Sequence, residues 1–144
     1  MTTVQRILDT KGRDVFTCTP QDTVLAAAAR MTERGVGALL VADAKGQPVG
    51  IITERDLLRK VVSVNKSHPD LKVADIMSKM LWTVTPEQNI DECMKLMTER
   101  RIRHLPVVQH DKLLGLISIG DVVKHLLSEK DFIINQLETY IKAG

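Results

Sequence analysis

A seven-residue motif occurs twice in this sequence and carries the polar side chains that are best placed to bind a ligand. It reads Gly50-Ile51-Ile52-Thr53-Glu54-Arg55-Asp56 in the first half and Gly115-Leu116-Ile117-Ser118-Ile119-Gly120-Asp121 in the second. In both copies a glycine and two apolar residues precede a hydroxyl residue, and an aspartate follows three positions later. A hydroxyl with an acid three residues on is typical of a helix start, where the hydroxyl caps backbone amides.

The same residue types also suit a nucleotide. A helix N-terminus beside a glycine can receive a phosphate, and an aspartate can accept two hydrogen bonds from ribose hydroxyls. The motif alone favours capping and is compatible with binding. Arg55 lies in the first helical turn, where it either holds phosphate oxygens or is a solvated surface charge, and the residues leave both interpretations open.

Several function classes lack support in the sequence. The 20 Lys+Arg and 18 Asp+Glu give a net charge of +2, without the dense basic tract that nucleic acids or anionic membranes usually require. No run approaches the ~20 apolar residues needed to span a bilayer, and Met1 to Arg6 lack the apolar core of a secretory signal. With only Cys18 and Cys93, we expect reduced thiols and a cytoplasmic protein.

Catalytic and metal signatures are also missing. The sequence contains no Gly-x-x-x-x-Gly-Lys, Gly-x-Gly-x-x-Gly or Gly-x-Ser-x-Gly motif, and histidines 68, 104, 110 and 125 show no metal-ligand spacing. We therefore expect neither a resident metal nor an enzyme activity.

The motif belongs to an internal repeat. Residues 17–46 align with residues 83–112 at an offset of 66, and after one deleted residue the alignment continues at an offset of 65. The identical pairs are Thr17/Thr83, Thr19/Thr85, Pro20/Pro86, Met31/Met97, Thr32/Thr98, Glu33/Glu99, Arg34/Arg100, Leu39/Leu105, Val41/Val107, Gly50/Gly115, Ile52/Ile117, Asp56/Asp121 and Ser63/Ser128.

Each copy predicts the same order of elements. Apolar residues at helical spacing, Val24, Ala27, Ala28 and Met31 in copy one and Ile90, Cys93, Met94 and Met97 in copy two, indicate a first helix with a core-facing side. Asn89 and Glu92 suit a capping box at the second of these. Two apolar runs then predict strands, 36–42 and 49–52 in copy one and 102–108 and 113–117 in copy two. Second helices are expected at about 53–63 and 118–128.

Short lead-in segments extend the repeat, because Val4, Ile7 and Leu8 recur as Val73, Ile76 and Met77. The prediction is an α/β (α+β) fold of two βαββα repeats, at 1–64 and 73–130, with a linker at 65–72 and an extra C-terminal helix at 131–144. Small mixed sheets flanked by helices should pack with pseudo-two-fold symmetry and leave a cleft between the copies.

This tandem pair, with Gly-x-x-Ser/Thr-x-x-Asp ending each second strand, resembles a cystathionine β-synthase (CBS) domain pair, or Bateman module. The likeness covers nearly the whole chain, including Val73-Ala74-Asp75-Ile76-Met77 and Arg103-His104-Leu105-Pro106-Val107-Val108. It is strongest to stand-alone CBS-pair proteins of bacteria and plant organelles. The resemblance implies two pseudo-symmetric sites for AMP, ADP, ATP, NAD or S-adenosylmethionine, with AMP the first candidate.

Site residues follow from the resemblance. In the family pattern Thr53 and Asp56 supply the phosphate-side hydroxyl and the ribose-binding acid of one site, and Ser118 and Asp121 supply those of the other. The strand backbone at Val36, Gly37 and Ala38, closed by Asp14 and Phe16, would serve the Ser118/Asp121 site. The strand at Ile102, Arg103 and His104, closed by Met80 and Trp82, would serve the Thr53/Asp56 site. Trp82 also suits a core position.

The two sites should differ, because Arg103-His104 replaces Gly37-Ala38 and Gly120 replaces Arg55. Arg103 and His104 interrupt an apolar strand, so at least one points away from the core and suits phosphate. An apolar helical stripe at Phe132, Ile133, Leu137, Tyr140 and Ile141 needs a partner, either its own module or a second copy in a homodimer.

The resemblance predicts a regulatory adenine-nucleotide sensor that acts through conformational change on an unidentified partner protein. The alternative is a constitutive interaction adaptor whose clefts are vestigial. A third possibility, an enzyme acting on an adenosine compound, rests only on a carboxylate and a hydroxyl near the phosphate position, with no evident base or metal.

Overall fold

The computed structural model describes residues 2–143, which form two compact units. One unit consists of residues 14–82 and is called here the first-repeat unit. The other combines residues 2–13 with residues 83–143 and is called the second-repeat unit. The three-dimensional contacts thus group the chain differently from the sequence repeats.

Six α-helices and five strands account for the regular structure of the described residues. In chain order they are α1 (Val4–Lys11), β1 (Thr17–Cys18), α2 (Val24–Arg34), β2 (Ala38–Ala42), β3 (Pro48–Thr53), α3 (Glu54–Leu57), α4 (Val73–Ile76), α5 (Ile90–Arg100), β4 (His104–Gln109), β5 (Lys112–Ser118) and α6 (Ile119–Ala143). A single π-helical turn, Leu58–Val62, continues α3. The mixed α/β fold predicted from the sequence is confirmed.

Each unit is built around an antiparallel pair of strands. In the first-repeat unit β2 pairs antiparallel with β3 and parallel with β1, where Cys18 faces Val41. In the second-repeat unit β4 pairs antiparallel with β5, and a parallel bridge joins Val84 to Val107. This bridge is the repeat equivalent of the Cys18–Val41 pair, so the sequence repeat extends to backbone pairing.

Local sequence signals explain α2 and α5, which are the first helices of the two repeats. Thr23 caps α2 by accepting a hydrogen bond from the Ala26 N–H, and Gly35 ends it in the left-handed conformation, φ 65°, which glycine adopts at little cost. Asn89 caps α5 in the same way through the Glu92 N–H. The predicted capping box is only half right, because the Glu92 carboxylate accepts from the Gln88 amide instead.

The predicted core faces of these helices are confirmed, except that Ala28 and Met94 are only half-buried. Val24, Ala27 and Met31 of α2 are buried, as are Ile90, Cys93 and Met97 of α5. In the first-repeat unit the α2 residues pack with residues from the strands, the π-helical turn and α4, namely Cys18, Leu39, Val41, Ile52, Val61, Val73 and Ile76. The hydrophobic effect of burying these side chains holds each unit together.

Neither lead-in segment packs in the unit of the repeat that follows it in the sequence. Each packs in the unit of the other repeat. Helix α1 precedes repeat one but belongs to the second-repeat unit, where the Val4 N–H donates to Gln88 O at 2.8 Å. Helix α4 precedes repeat two but belongs to the first-repeat unit, where the Val73 N–H donates to Asp22 O at 2.9 Å. The two units therefore exchange their lead-in segments.

Helix α6 is continuous, whereas the sequence suggested a helix at 118–128 and a separate C-terminal one. It runs for 25 residues because no glycine or proline interrupts it after Gly120. None of the helices within residues 2–143 combines the length and the apolar character needed to cross a membrane.

Candidate functional site

Thr53 and Asp56 form a reciprocal cap at the start of α3. The Asp56 N–H donates to Thr53 Oγ1 at 3.2 Å, and the Thr53 N–H and hydroxyl donate to Asp56 Oδ2 at 3.0 and 3.2 Å. The capping interpretation of the motif is therefore confirmed, and it fixes the carboxylate at the end of β3. A fixed carboxylate loses little conformational entropy when it accepts a further hydrogen bond.

The other oxygen of Asp56 is also engaged. Lys60, one turn further along, contacts Asp56 Oδ1 at 3.0 Å and donates to Ile76 O at 2.9 Å. Both carboxylate oxygens thus have partners inside the first-repeat unit. A ribose hydroxyl that bonds to Oδ1 has to share it with, or displace, the Lys60 ammonium group.

Ser118 and Asp121 repeat the cap at the start of α6. The Ser118 N–H donates to Asp121 Oδ2 at 2.8 Å, and the Asp121 N–H donates to Ser118 Oγ at 3.2 Å. The Lys11 ammonium reaches the same Oδ2 at 2.6 Å and Leu116 O at 2.8 Å. Within residues 2–143, Asp121 Oδ1 accepts no hydrogen bond, so this carboxylate keeps one oxygen available.

These contacts set the protonation of Asp121. Burial would raise its pKa, but the hydrogen bond from Lys11, the backbone hydrogen bond from Ser118 and the positive charge of Lys11 together hold the pKa below its ordinary value. Asp121 is therefore ionised at neutral pH. An ionised carboxylate is a strong acceptor for hydroxyl groups.

The two lysines come from different elements, which sequence reasoning did not find. The residue equivalent to Lys60 in the second repeat is His125, and the residue equivalent to Lys11 in the second lead-in segment is Met80. Lys60 could have been found from its i, i+4 spacing to Asp56. Lys11 lies 110 residues from Asp121, and no local signal links them.

The starts of β2 and β4 lie beside the helix cap of their own repeat. Ala38 pairs with Thr53, and Gly37 O accepts from the Glu54 N–H at 3.0 Å. Equivalent contacts in the second-repeat unit join His104 to Ser118 and the Ile119 N–H to Arg103 O at 2.8 Å. The strands begin at Ala38 and His104, so Val36 and Ile102, both half-buried, precede them rather than belong to them. The predicted pairing of each aspartate with the strand of the other repeat stays a prediction.

The motif glycines have a packing role that the sequence did not predict. A Cβ at Gly50 would lie 2.8 Å from Ser78 O, and a Cβ at Gly115 would lie 2.6 Å from Leu8 Cδ2. Within the units, these glycines allow the exchanged lead-in segments to approach the strands closely. The interpretation of these glycines as a phosphate approach stays a prediction.

The remaining predicted residues differ in their surroundings. Phe16 is half-buried, and the Arg34 guanidinium carbon lies 5.1 Å from its ring centroid, a cation–π contact. Trp82 is also half-buried. Exposed positions among the predicted site residues are Asp14, Arg55, Met80, Arg103 and Gly120.

A cavity of about 280 Å³ lies in the first-repeat unit next to Gly37. Its lining comes from α2, the segment after it, and α3, and consists of Ala28, Met31, Thr32, Gly35, Val36, Gly37, Glu54 and Leu57. Glu54 is the charged residue of this lining and was not predicted as a site residue. Its Oε1 would lie 3.2 Å from a Cβ at position 37, so the glycine leaves room for this carboxylate.

The described residues contain neither a metal-binding cluster nor a reactive thiol. No group of three or more His, Cys, Asp or Glu side chains within residues 2–143 is arranged to hold a metal ion. Burial raises the pKa of both Cys18 and Cys93 to about 11, so each thiol stays protonated and unreactive at neutral pH.

Comparison with known families identifies the repeat. The family described as CBS domain matches residues 7–63 and 73–128, which together cover most of the chain. The chain belongs to the CBS domain family. Its two matches make it a CBS pair, and the reciprocal Thr53/Asp56 and Ser118/Asp121 caps are equivalent positions of the two CBS domains.

Relatives at high identity are themselves CBS proteins. The CBS domain-containing protein CBSX3, mitochondrial, of Arabidopsis thaliana is 41% identical over 99% of this chain and 73% of its own length. A solved protein with CBS domains from Burkholderia ambifaria MC40-6 is 49% identical, covers 88% of this chain and 95% of its own, and superposes with a TM-score of 0.85.

A more distant structure shares the fold alone. The CBS domain pair of protein MJ0100, solved in complex with 5′-methylthioadenosine and S-adenosyl-L-methionine, is 24% identical, with a TM-score of 0.78 over 90% of this chain and 98% of its own.

Proposed function

We propose that this CBS pair is a regulatory sensor of an adenine nucleotide, with AMP as the first ligand to test. The observation that carries the proposal is the state of Asp121. Its Oδ2 is fixed by Ser118 and Lys11, and its Oδ1 accepts no hydrogen bond within residues 2–143. A rigid, ionised carboxylate with one available oxygen suits a ribose hydroxyl.

Family context supports an adenosine compound. The MJ0100 pair is solved with two adenosine-containing ligands, and the fold of this chain matches it. The ligand contacts that we propose for the Ser118/Asp121 site are the backbone of Val36, Gly37 and Ala38, with Asp14 and Phe16, together with the cap residues. Those for the Thr53/Asp56 site are Ile102, Arg103, His104, Met80 and Trp82, with Arg55 on the phosphate.

The two sites should fill unequally. Asp121 offers a free oxygen, whereas Lys60 already occupies the second oxygen of Asp56. Displacing an ion-pair partner costs free energy that the ligand has to supply. We therefore expect AMP to occupy the Ser118/Asp121 site first.

Regulation requires that the ligand binds one conformation better than another. We propose that nucleotide binding shifts a conformational equilibrium of the CBS pair and so changes its affinity for a protein partner. Homodimer formation is part of this proposal. It is supported by exposed apolar residues that recur in both repeats, Leu58 and Val62 in the first and Val123 and Leu127 in the second. A related CBS-CP12 protein of bloom-forming cyanobacteria, solved as a hexamer, shows oligomer formation in that relative.

Calorimetric titration with AMP, ADP, ATP and NAD tests the binding. We expect AMP to bind below millimolar Kd, which corresponds to about −4 kcal/mol. Asp121→Asn removes a charge-assisted acceptor, and its affinity should fall by roughly 10- to 100-fold. Asp91→Asn, an exposed change of the same chemistry on α5, is the matched control. If none of the four ligands binds below millimolar, the sensor function is rejected and the adaptor alternative is favoured.

A further inference from the structure

The cavity beside Gly37 combines an apolar floor with one carboxylate. The buried and half-buried side chains of its lining are apolar and belong to Ala28, Met31, Val36 and Leu57. Glu54 is exposed and is the charged residue of the lining. Within residues 2–143 its carboxylate forms no ion pair. This carboxylate is therefore available to a cation that enters the cavity.

Gly37 determines where the Glu54 carboxylate can lie. A Cβ at position 37 would be 3.2 Å from Glu54 Oε1 and 3.6 Å from Glu54 Oε2. The carboxylate thus lies against the backbone of Gly37, with both oxygens at a similar distance from it. A larger residue at position 37 would push the carboxylate away from the cavity.

The cavity is separate from the carboxylate of the Thr53/Asp56 cap. Around α3, positions 54 and 56 point roughly 160° apart at about 100° per residue. Neither Thr53 nor Asp56 lines the cavity. Both oxygens of Asp56 are already engaged, Oδ2 by Thr53 and Oδ1 by Lys60. Glu54 therefore provides a second, independent acidic group on the other side of the same helix.

The second repeat does not preserve the residues that form this cavity. The equivalent pairs are Ala28/Met94, Gly35/Arg101, Gly37/Arg103 and Glu54/Ile119. Three small residues are thus replaced by long ones, and the acid is replaced by an apolar residue. Gly35 is not required by the backbone either, because Arg101 adopts the same left-handed conformation with φ 55°. A CBS repeat folds without these residues, so the fold alone does not account for them.

The lining suits a cation that has an apolar stem. A carboxylate forms charge-assisted hydrogen bonds with a guanidinium group, which can bind both of its oxygens at once. The stem of an arginine side chain packs on apolar surface while its head stays polar. The Thr32 hydroxyl, also in the lining, already donates to Ala28 O at 3.1 Å. The cavity thus offers one strong polar anchor, which matches an arginine side chain better than a free molecule with several polar ends.

The size and the surroundings of the cavity also favour a side chain of a protein. Its volume of about 280 Å³ is at the lower limit of the ~300–1,000 Å³ that is typical of small-molecule pockets. Leu25, which is 71% exposed, lies one turn before Ala28 on α2 and extends the apolar surface beside the cavity. Arginine is enriched at protein interfaces and among the residues that dominate their binding energy.

We propose that this cavity receives an arginine side chain of a protein partner. The guanidinium group pairs with the Glu54 carboxylate, and the aliphatic stem packs on Met31, Val36 and Leu57. Binding at this cavity does not require a nucleotide, so the site is tested independently of the sensor function.

NMR titration of the full chain with N-acetyl-arginine amide tests the site. N-acetyl-citrulline amide, which has the same shape without the charge, is the matched probe. We expect saturable shifts of the amides of Gly35, Gly37 and Glu54, with a dissociation constant of about 1–10 mM for the arginine probe and at least about fivefold weaker binding of the citrulline probe. Equal binding of the two probes, or shifts only at other residues, overturns the proposal.

Two variants separate the charge of the cavity from its shape. Glu54→Gln removes the charge, and Ala28→Met fills the cavity with the residue of the second repeat. Each should weaken binding of the arginine probe at least about fivefold. Glu33→Gln removes an exposed acid on α2 outside the lining and should stay within about twofold of the wild type. Circular dichroism confirms that each variant is folded, and equal weakening by Glu33→Gln overturns the proposal.

Three further measurements test the other possible occupants. Agmatine, a free guanidinium compound, should bind no more tightly than the arginine probe, since tighter binding by more than about tenfold would assign the cavity to a small molecule. Saturating AMP should leave the arginine titration unchanged, since competition would assign the cavity to the nucleotide site. Glu54→Gln should leave self-association unchanged in sedimentation, since its loss would make a second copy the occupant. Any of these contrary results overturns the proposal, whereas a failure of AMP to bind affects only the sensor function.

Discussion

Lys11 connects a lead-in segment to the acid that we propose as the ribose acceptor. Its ammonium group bonds to Asp121 Oδ2 and to Leu116 O, so one side chain ties α1 to the end of β5 and to the start of α6. Without such a neighbour, nothing would offset the free-energy cost of burying the charge of this aspartate. Lys11 thus lowers the pKa of Asp121 and orients its carboxylate.

Removing Lys11 should raise the pKa of Asp121. In Lys11→Met the hydrogen bond and the positive charge that lower the pKa are lost, while burial continues to raise it. In the wild type the folded-state pKa lies below the unfolded value, so the carboxylate stabilises the fold above the unfolded pKa. This contribution disappears as pH falls through the folded pKa. NMR titration of the Asp121 carboxyl carbon should show the shift, and an unchanged titration in Lys11→Met would contradict it.

Lys60 should control the weaker nucleotide site. Lys60→Met frees Asp56 Oδ1, so we expect AMP affinity at the Thr53/Asp56 site to rise and a second binding event to appear or strengthen in calorimetry. Lys66→Met removes the same charge from an exposed position of the same unit and serves as control. Equal effects of the two variants would indicate a general charge effect instead.

The repeated glycines Gly50 and Gly115 determine how closely the lead-in segments approach the strands. Gly50→Ala would place Cβ 2.8 Å from a backbone oxygen, Ser78 O, whereas Gly115→Ala meets the end of the Leu8 side chain, which can rotate. We expect a loss of about 2–3 kcal/mol for the first variant and about 1 kcal/mol for the second. Chemical denaturation measures both.

Gly120→Ala is the control for this comparison. Its Cβ would meet Ser118 Oγ at 3.5 Å, an ordinary contact, and alanine is favoured over glycine in a helix. Its stability should stay the same or rise slightly. If Gly50→Ala were as stable as Gly120→Ala, the close approach of Ser78 would not constrain position 50.

The elements show which features a sequence can predict. Helices α2 and α5 follow from apolar spacing and from caps at Thr23 and Asn89, which act within one turn. Both caps at Thr53 and Ser118 follow from the hydroxyl–acid spacing for the same reason. The Lys11–Asp121 contact could not be predicted, because it joins segments 110 residues apart. The exposure of the apolar side chains of α6 could also not be predicted, since apolar periodicity alone does not say which face of a helix is covered.

The exchange of lead-in segments makes the second-repeat unit depend on residues distant in sequence, whereas the first-repeat unit is the continuous segment 14–82. Val4, Ile7 and Leu8 are fully buried in the second-repeat unit, although α1 precedes the first repeat. Burying three such side chains contributes about 5–9 kcal/mol, which is comparable with the ~5–15 kcal/mol total stability of a typical domain. A repeat separated at its sequence boundary would lose this contribution.

Fragments of the chain test this dependence. A fragment of residues 83–144 should lack a cooperative thermal transition, because its core is left open where α1 packs. The same fragment preceded by residues 1–13 through a flexible Gly/Ser linker should regain one, since the linker raises the effective concentration of α1 at its packing site. Leu8→Asp in the linked chain should abolish the gain, whereas Asp9→Asn, an exposed change at the neighbouring position, should not. A cooperative transition of equal midpoint in the unlinked fragment would show that the second repeat folds without its exchanged helix.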